Sequence, residues 1–199
     1  MRAMKIKDSI DSFLVDQKSS IEKMLVNTDD IVQIVNVLLE ARDKGHKIYT
    51  MGNGGSSSTS SHFASDLLKT AITEGDKRFM AFSLTDNIPV VSAWANDVSF
   101  DNIFVEQLKN FLQKNDIVIA FSGSGKSKNV VNAISYGKEI GALCIGITGM
   151  KGGFLSKICD ICLIVPSNDM LTIESLHLVL CHCIVNTIRN NGKPVFRYE

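Results

Sequence analysis

Five short apolar runs alternate with stretches of helical periodicity, and this constrains the 199-residue chain more than anything else in it. The runs are 47–51, 79–84, 117–121, 143–148 and 161–165. The helical patterns between and after them fall at 58–73, 89–96, 102–113, 128–140, 154–159 and 171–189. Strands separated by helices build βαβ units, whose strands lie parallel and whose crossover helices cover the sheet faces. The expected fold class is therefore α/β, with a five-stranded parallel sheet flanked by helices on both faces. Two further helices are expected ahead of it. The first carries Ile6, Ile10, Phe13, Leu14, Ile21, Met24 and Leu25 at roughly helical spacing. The second, 29–44, carries Ile31, Ile34, Val35 and Leu38 and stops at Gly45. With only three prolines and no low-complexity stretch, the chain offers no domain boundary. It divides into an N-terminal helical segment (1–45), one α/β domain (46–190) and a short tail (191–199).

Lys and Arg number 21, as do Asp and Glu, so the net charge is zero. A neutral chain is not held to nucleic acid or an anionic membrane by bulk positive charge. Neither kind of partner is expected. The apolar runs are strand-sized and fall short of a membrane span, and 1–16 lacks the apolar core of a signal peptide. Five cysteines, an odd count without scaffold spacing, suit a reducing compartment. A cytoplasmic protein is expected.

Two loops carry the chemistry. Gly52-Asn53-Gly54-Gly55-Ser56-Ser57-Ser58 and Ser122-Gly123-Ser124-Gly125-Lys126-Ser127 each leave a strand and open a helix. On a parallel sheet both lie beyond the carboxyl ends of the strands, where ligands bind. Glycines let backbone N–H groups converge, the helix N-terminus adds partial positive charge, and serine hydroxyls add donors. That is a phosphate cradle built with little formal charge. Tight turns with serine caps are the alternative for one such loop, and a weaker one for two. The stretch Ala120 to Ser127 also fits a Walker A pattern if Ala replaces its first Gly. A P-loop NTPase would need an Asp closing a neighbouring buried strand. The 143–148 run ends in Thr148-Gly149, and Asp160 precedes its strand, so that reading ranks low.

His62 and Asp66 are four apart on a helix and share a face, so they can grip one ion. Glu174 and His182 are eight apart, about 12 Å along a straight helix. If both serve one ion, contributions from different subunits are easier, which favours an interfacial site. Cys159 and Cys162, with Cys181 and Cys183, do not form a convincing metal cluster.

The sequence Gly52-Asn-Gly-Gly-Ser56, then His62-Phe-Ala, then Ala95-Asn-Asp97-Val-Ser-Phe100-Asp-Asn-Ile-Phe104 resembles the phosphoheptose isomerases, members of the sugar isomerase (SIS) domain proteins. Ser122-Gly-Ser-Gly-Lys-Ser127 stands where that family has Ser-Thr-Ser-Gly-x-Ser. Thr148-Gly-Met-Lys-Gly-Gly153 and Glu174-Ser-Leu-His177-Leu-Val-Leu-Cys-His182 continue the match. The resemblance implies a single SIS domain whose N-terminal helices serve oligomerisation, in a cytosolic homotetramer with active sites at subunit interfaces. It implies conversion of sedoheptulose 7-phosphate to a glycero-manno-heptose 7-phosphate, towards heptose for lipopolysaccharide or capsule. Carried over by position, Asn53, Gly54, Gly55, Ser56, Asp97, Ser122, Gly123, Ser124, Ser127 and Glu174 would bind the substrate. His62, Asp66, Glu174 and His182 would hold one zinc per subunit, and Asp66 and His182 would act as acid and base. The family has Glu at Asp66, Gln at Glu174 and Arg at Thr172. The shorter Asp66 would sit about 1 Å back, a displacement that can cost on the order of a hundredfold in rate. A sugar-phosphate-binding regulator without catalysis, like a relative that binds the replication initiator DnaA, is the alternative.

Overall fold

A computed structural model describes residues 2–26 and 28–196, with side chains from Lys5 onward. Met1, Asn27 and the last three residues of the expected tail lie outside the described residues. Helices α1 (Arg2–Met24) and α2 (Asp29–Lys44) lead into β1 (Lys47–Gly52), α3 (Gly55–Leu68), β2 (Met80–Ser83), α4 (Ile88–Asp97) and α5 (Val105–Phe111). Then follow β3 (Ile117–Ser122), α6 (Lys128–Ile140), β4 (Leu143–Thr148), α7 (Leu155–Ile158), β5 (Ile161–Ile164) and α8 (Met170–Asn190).

The strands form one sheet in the order β2-β1-β3-β4-β5, every pair parallel. Strand side chains alternate between faces, and each face feeds a separate core. Ile117, Ile119 and Phe121 pack with Ile34, Leu38, Phe63, Leu176 and Leu180, under α2, α3 and α8. Val118 and Ala120 pack with Ile103, Phe104, Leu108, Val130 and Ile134, under α5 and α6. Phe63 of α3 meets Phe121 edge to face at 6.0 Å, a pairing worth about 1 kcal/mol beyond its buried area. That contact seats α3 on the sheet. Helix α8 is long and apolar enough to cross a bilayer, and half of that stretch is buried here against α3 and the sheet.

Local chemistry sets the helix limits. Gly45 and Gly141 take left-handed conformations and close α2 and α6. Asn87 and Asp169 cap α4 and α8 by accepting from Val90 N–H and Thr172 N–H at 3.3 and 2.7 Å. At the N-terminal edge of the sheet, Asp116 accepts from the N–H groups of Lys47 and Gln113, both at 2.9 Å. Asp160 accepts from Cys144 N–H at 2.8 Å and pairs with Lys138. Both aspartates tie strands together at the end opposite the two Gly/Ser loops.

The chain following α8 doubles back on its own subunit. Pro194 bridges Thr73, Glu74 N–H donates to Lys193 O at 2.8 Å, and Val195 N–H donates to Ile72 O at 3.1 Å. The 102–113 helix expected from the sequence is interrupted: a 3₁₀ turn (Phe100–Asn102) precedes the shorter α5. The expected helix 58–73 begins earlier, at Gly55, and ends earlier, at Leu68.

Candidate active site

Because β1 and β3 are neighbours, with Gly52 opposite Phe121, the two Gly/Ser loops leave adjacent strand ends. The first turns at Gly54, whose φ of +55° suits glycine. Ser56 N–H donates to Asn53 O and Ser57 N–H to Gly54 O, both at 3.0 Å, starting α3. Ser56 is buried, whereas Gly54 and Gly55 are exposed at the cleft. In the second loop Ser122 and Gly123 are buried, Ser124 and Ser127 are half-buried and Lys126 is exposed. Ser127 is the N-cap of α6 and makes no capping bond with its hydroxyl, which leaves that hydroxyl for a ligand.

The loop after β4 braces this second loop. Gly149 N–H donates to Gly123 O at 3.0 Å, and the N–H groups of Phe154 and Leu155 donate to Gly125 O at 2.8 and 3.2 Å. Met150, Lys151, Gly152 and Gly153 all take positive φ to make the turn. Such backbone costs on the order of 1–3 kcal/mol per strained residue and persists where surrounding contacts impose it. The Walker A reading fails at the neighbouring strand ends. Beside β3, β1 ends in Gly52 and β4 in Thr148, and neither supplies an aspartate for Mg²⁺.

The second centre lies further along α3. His62 and Asp66 project from one face, and His182 of α8 reaches them. His62 Nε2 and His182 Nε2 are 3.1 Å apart, Asp66 Oδ2 is 3.3 Å from His62 Nε2 and 3.8 Å from His182 Nε2. A tetrahedral ion with bonds near 2.1 Å has ligands about 3.4 Å apart, and the three distances bracket that edge. The donor set also suits zinc: two imidazoles and a carboxylate. Among the described residues, this is the group of three ligating side chains that a single ion could join. The histidines are half exposed and Asp66 only 15%, so the site opens to one side. Thr70 Oγ1 donates to Asp66 Oδ1 at 2.9 Å, turning Oδ2 towards the imidazoles.

Residues 12–149 match the SIS-domain family model. The phosphoheptose isomerase of Aliarcobacter butzleri is 33% identical over 181 residues, which cover 91% of this chain and 95% of that one. The chain belongs to the phosphoheptose isomerases of the SIS-domain family. Another phosphoheptose isomerase, from Campylobacter jejuni, is 37% identical over 79% of this chain and 84% of its own. The solved structure of a phosphoheptose isomerase from Francisella tularensis superposes with a TM-score of 0.86 at 28% identity, covering 92% of this chain and 97% of that one. The five-stranded parallel α/β sheet is thus the fold of the family.

Within one subunit of this family member, the four residues expected as ligands occupy two places. His62, Asp66 and His182 meet. Glu174 lies a little over two turns back along α8, with its carboxylate in the space that a Cβ on Gly55 would fill. It therefore faces the N-terminus of α3, whose partial positive charge favours a carboxylate. The eight-residue spacing made a shared ion within one helix difficult, and α3 runs alongside so that each residue meets a different part of it. His182 needs no second subunit to reach His62. Asp97 ends α4, where its carboxylate accepts from Asn96 Nδ2 at 2.8 Å and is exposed.

Three contributors escaped the sequence reading: Thr70, the strained brace 149–153, and Asn129. The stretch 149–153 was legible only as part of a motif, without its bracing role; Thr70 and Asn129 belong to no motif, and each acts through a side-chain hydrogen bond, to Asp66 and to Asn53. His177 is fully buried beside Phe121, and neither ring nitrogen has a hydrogen-bond partner. Burial pushes its pKa down to about 4, opposed only weakly by the nearby Thr148 backbone. It does not join the His62–Asp66–His182 group. The five cysteines are free, and burial raises the pKa of Cys144, Cys159 and Cys181, leaving inert thiols.

Proposed function

We propose that this isomerase converts sedoheptulose 7-phosphate to D-glycero-D-manno-heptose 7-phosphate, supplying heptose for lipopolysaccharide or capsule. The single observation carrying the reading is a His–Asp–His centre lying along the same helix that a phosphate-cradle loop opens. The N–H groups of 122–127, with Ser56, Ser122, Ser124 and Ser127, hold the phosphate, and Lys126 adds a cation at its rim. Asn53 and Asp97 serve the sugar hydroxyls, and Glu174 lies beside the substrate at the start of α3.

His62, Asp66 and His182 would hold one zinc. Bound there, zinc supplies a Lewis acid for the negative charge that develops on the sugar oxygens. Ketose–aldose exchange moves a proton from C1 to C2 and another between the two oxygens. Asp66 and His182 carry these transfers, each able to take a proton only through an atom that is not ligating the ion. Thr70 holds Asp66 from behind, and the open side of the centre admits the sugar.

The exposed apolar residues Ile6, Ile10, Phe13, Leu14 and Val15 on α1 support a homotetramer, since a lone helix rarely leaves such a stripe in water. A cytoplasmic location fits a phosphorylated substrate and free thiols. The test is incubation of the purified, zinc-loaded protein with sedoheptulose 7-phosphate and identification of the product. Aldose 7-phosphate is expected. Tight sugar-phosphate binding without any aldose would make this chain a binding regulator instead.

A further inference from the structure

Asn53 and Asn129 are 76 residues apart in sequence, yet their amides pair reciprocally. Asn53 Nδ2 donates to Asn129 Oδ1 and Asn129 Nδ2 donates to Asn53 Oδ1, both at 2.9 Å. Asn129 is 2% exposed and stands in the first turn of α6, directly after the second Gly/Ser loop. Its orientation is not free. Val130 N–H also donates to Asn129 Oδ1 at 2.9 Å, which fixes that end as the oxygen and leaves the NH₂ end to donate to Asn53 Oδ1.

We propose that Asn129 is a positioning residue that sets the amide of Asn53 and holds the two ligand loops at a fixed separation. The consequence for Asn53 is specific. With Asn129 donating to it, Asn53 Oδ1 keeps one lone pair and Nδ2 keeps one N–H, and which end is donor is decided by Val130 two links away. Asn53 therefore meets a sugar hydroxyl with its donor and acceptor already assigned, and no rotation is needed on binding. The same pair ties the first loop to the base of the second, so a phosphate held by one and hydroxyls held by the other keep their spacing. Loss of Asn129 would leave a half-buried amide free to rotate and unpaired, a costly state for a polar group.

This rests on the reading that Asn53 contacts the sugar, and a four-protein cycle separates the two. Wild type, Asn53→Ala, Asn129→Ala and the double variant are compared for kcat, KM and direct sedoheptulose 7-phosphate affinity by calorimetry. Asn129→Ala is expected to lower kcat/KM and affinity about tenfold. In the Asn53→Ala background the same substitution is expected to change neither by more than about twofold, because its effect passes through Asn53. Asn129→Asp keeps the acceptor for Val130 N–H but loses the donor to Asn53. It is expected to lose affinity, and to lose less of it in the Asn53→Ala background, with a thermal melt run on every variant to confirm that each is folded at the assay temperature. Equal losses from Asn129 substitution with and without Asn53 would show a structural role only and overturn the proposal. So would an Asn53→Ala variant with wild-type affinity. If wild type binds the sugar without turnover, the isomerase reading fails while the affinity cycle still decides the role of Asn129.

Discussion

His62 and His182 face each other Nε2 to Nε2 at 3.1 Å, across 120 residues of sequence, with Asp66 Oδ2 closing the triangle. At that separation the two ring nitrogens and the carboxylate oxygen can converge on one ion. Substituting either histidine with Ala should weaken zinc binding by more than about a hundredfold, since even indirect partners of a ligand change affinity ten- to a hundredfold. Competition against a chromogenic chelator measures this without any assay of activity. Affinity within threefold of wild type would exclude the histidine from the centre.

Thr70 should matter through Asp66. Its hydroxyl is one 2.9 Å bond to Oδ1, worth about 1 kcal/mol or somewhat more to a charged acceptor. Thr70→Val keeps the shape and removes the bond, and should weaken zinc binding and lower kcat each about tenfold. Thr70→Ser should restore both. A Val variant that matches wild type in both would mean that the shape of the side chain, not its hydroxyl, is what counts.

Gly125 cannot become alanine without moving the brace. A Cβ there would overlap the carbonyl of Gly152, and φ is already +63°. Gly125→Ala should cost about 2 kcal/mol in stability and raise KM for the sugar phosphate several-fold, because the phosphate loop is what shifts. Urea melts and steady-state kinetics read the two effects. An unchanged KM would detach the second loop from phosphate binding.

Acid should destabilise the fold through His177. Its folded pKa of about 4 lies below the ordinary 6.5, so the unfolded chain takes up a proton that the folded chain refuses. Stability is therefore full above pH 6.5 and falls as pH drops through that value to about 4. The loss is on the order of 3 kcal/mol from this group. His177→Leu should flatten the part of the stability profile between pH 6.5 and 4 relative to wild type. Parallel profiles for the two proteins would refute it.

The sheet was legible because parallel strands buried on both faces must be apolar throughout. Each of the five runs coincides with a strand to within about two residues, and the loops fall where the strands end. The strand order was not legible, since nothing local tells β1 to lie between β2 and β3. Helix α3 starts at Gly55, a poor helix former that follows the turn at Gly54, so periodicity pointed three residues too late. His62 and Asp66 announced themselves by spacing on one helix. That His182 joins them while Glu174 stops at Gly55 depends on how α8 lies along α3, a matter of tertiary packing. Asn129, a lone amide in a helix start, has meaning only once Asn53 is beside it.

The sharpest test is the isomerisation itself, run in D₂O with zinc-loaded protein and followed by NMR. Aldose 7-phosphate should form with deuterium at C2, because the proton lifted from C1 passes through a protein group that exchanges with solvent, and His182→Ala should slow its formation by about 10²–10⁴. Sedoheptulose 7-phosphate that binds and is recovered unchanged, with no deuterium at C1 and no aldose, would contradict the account.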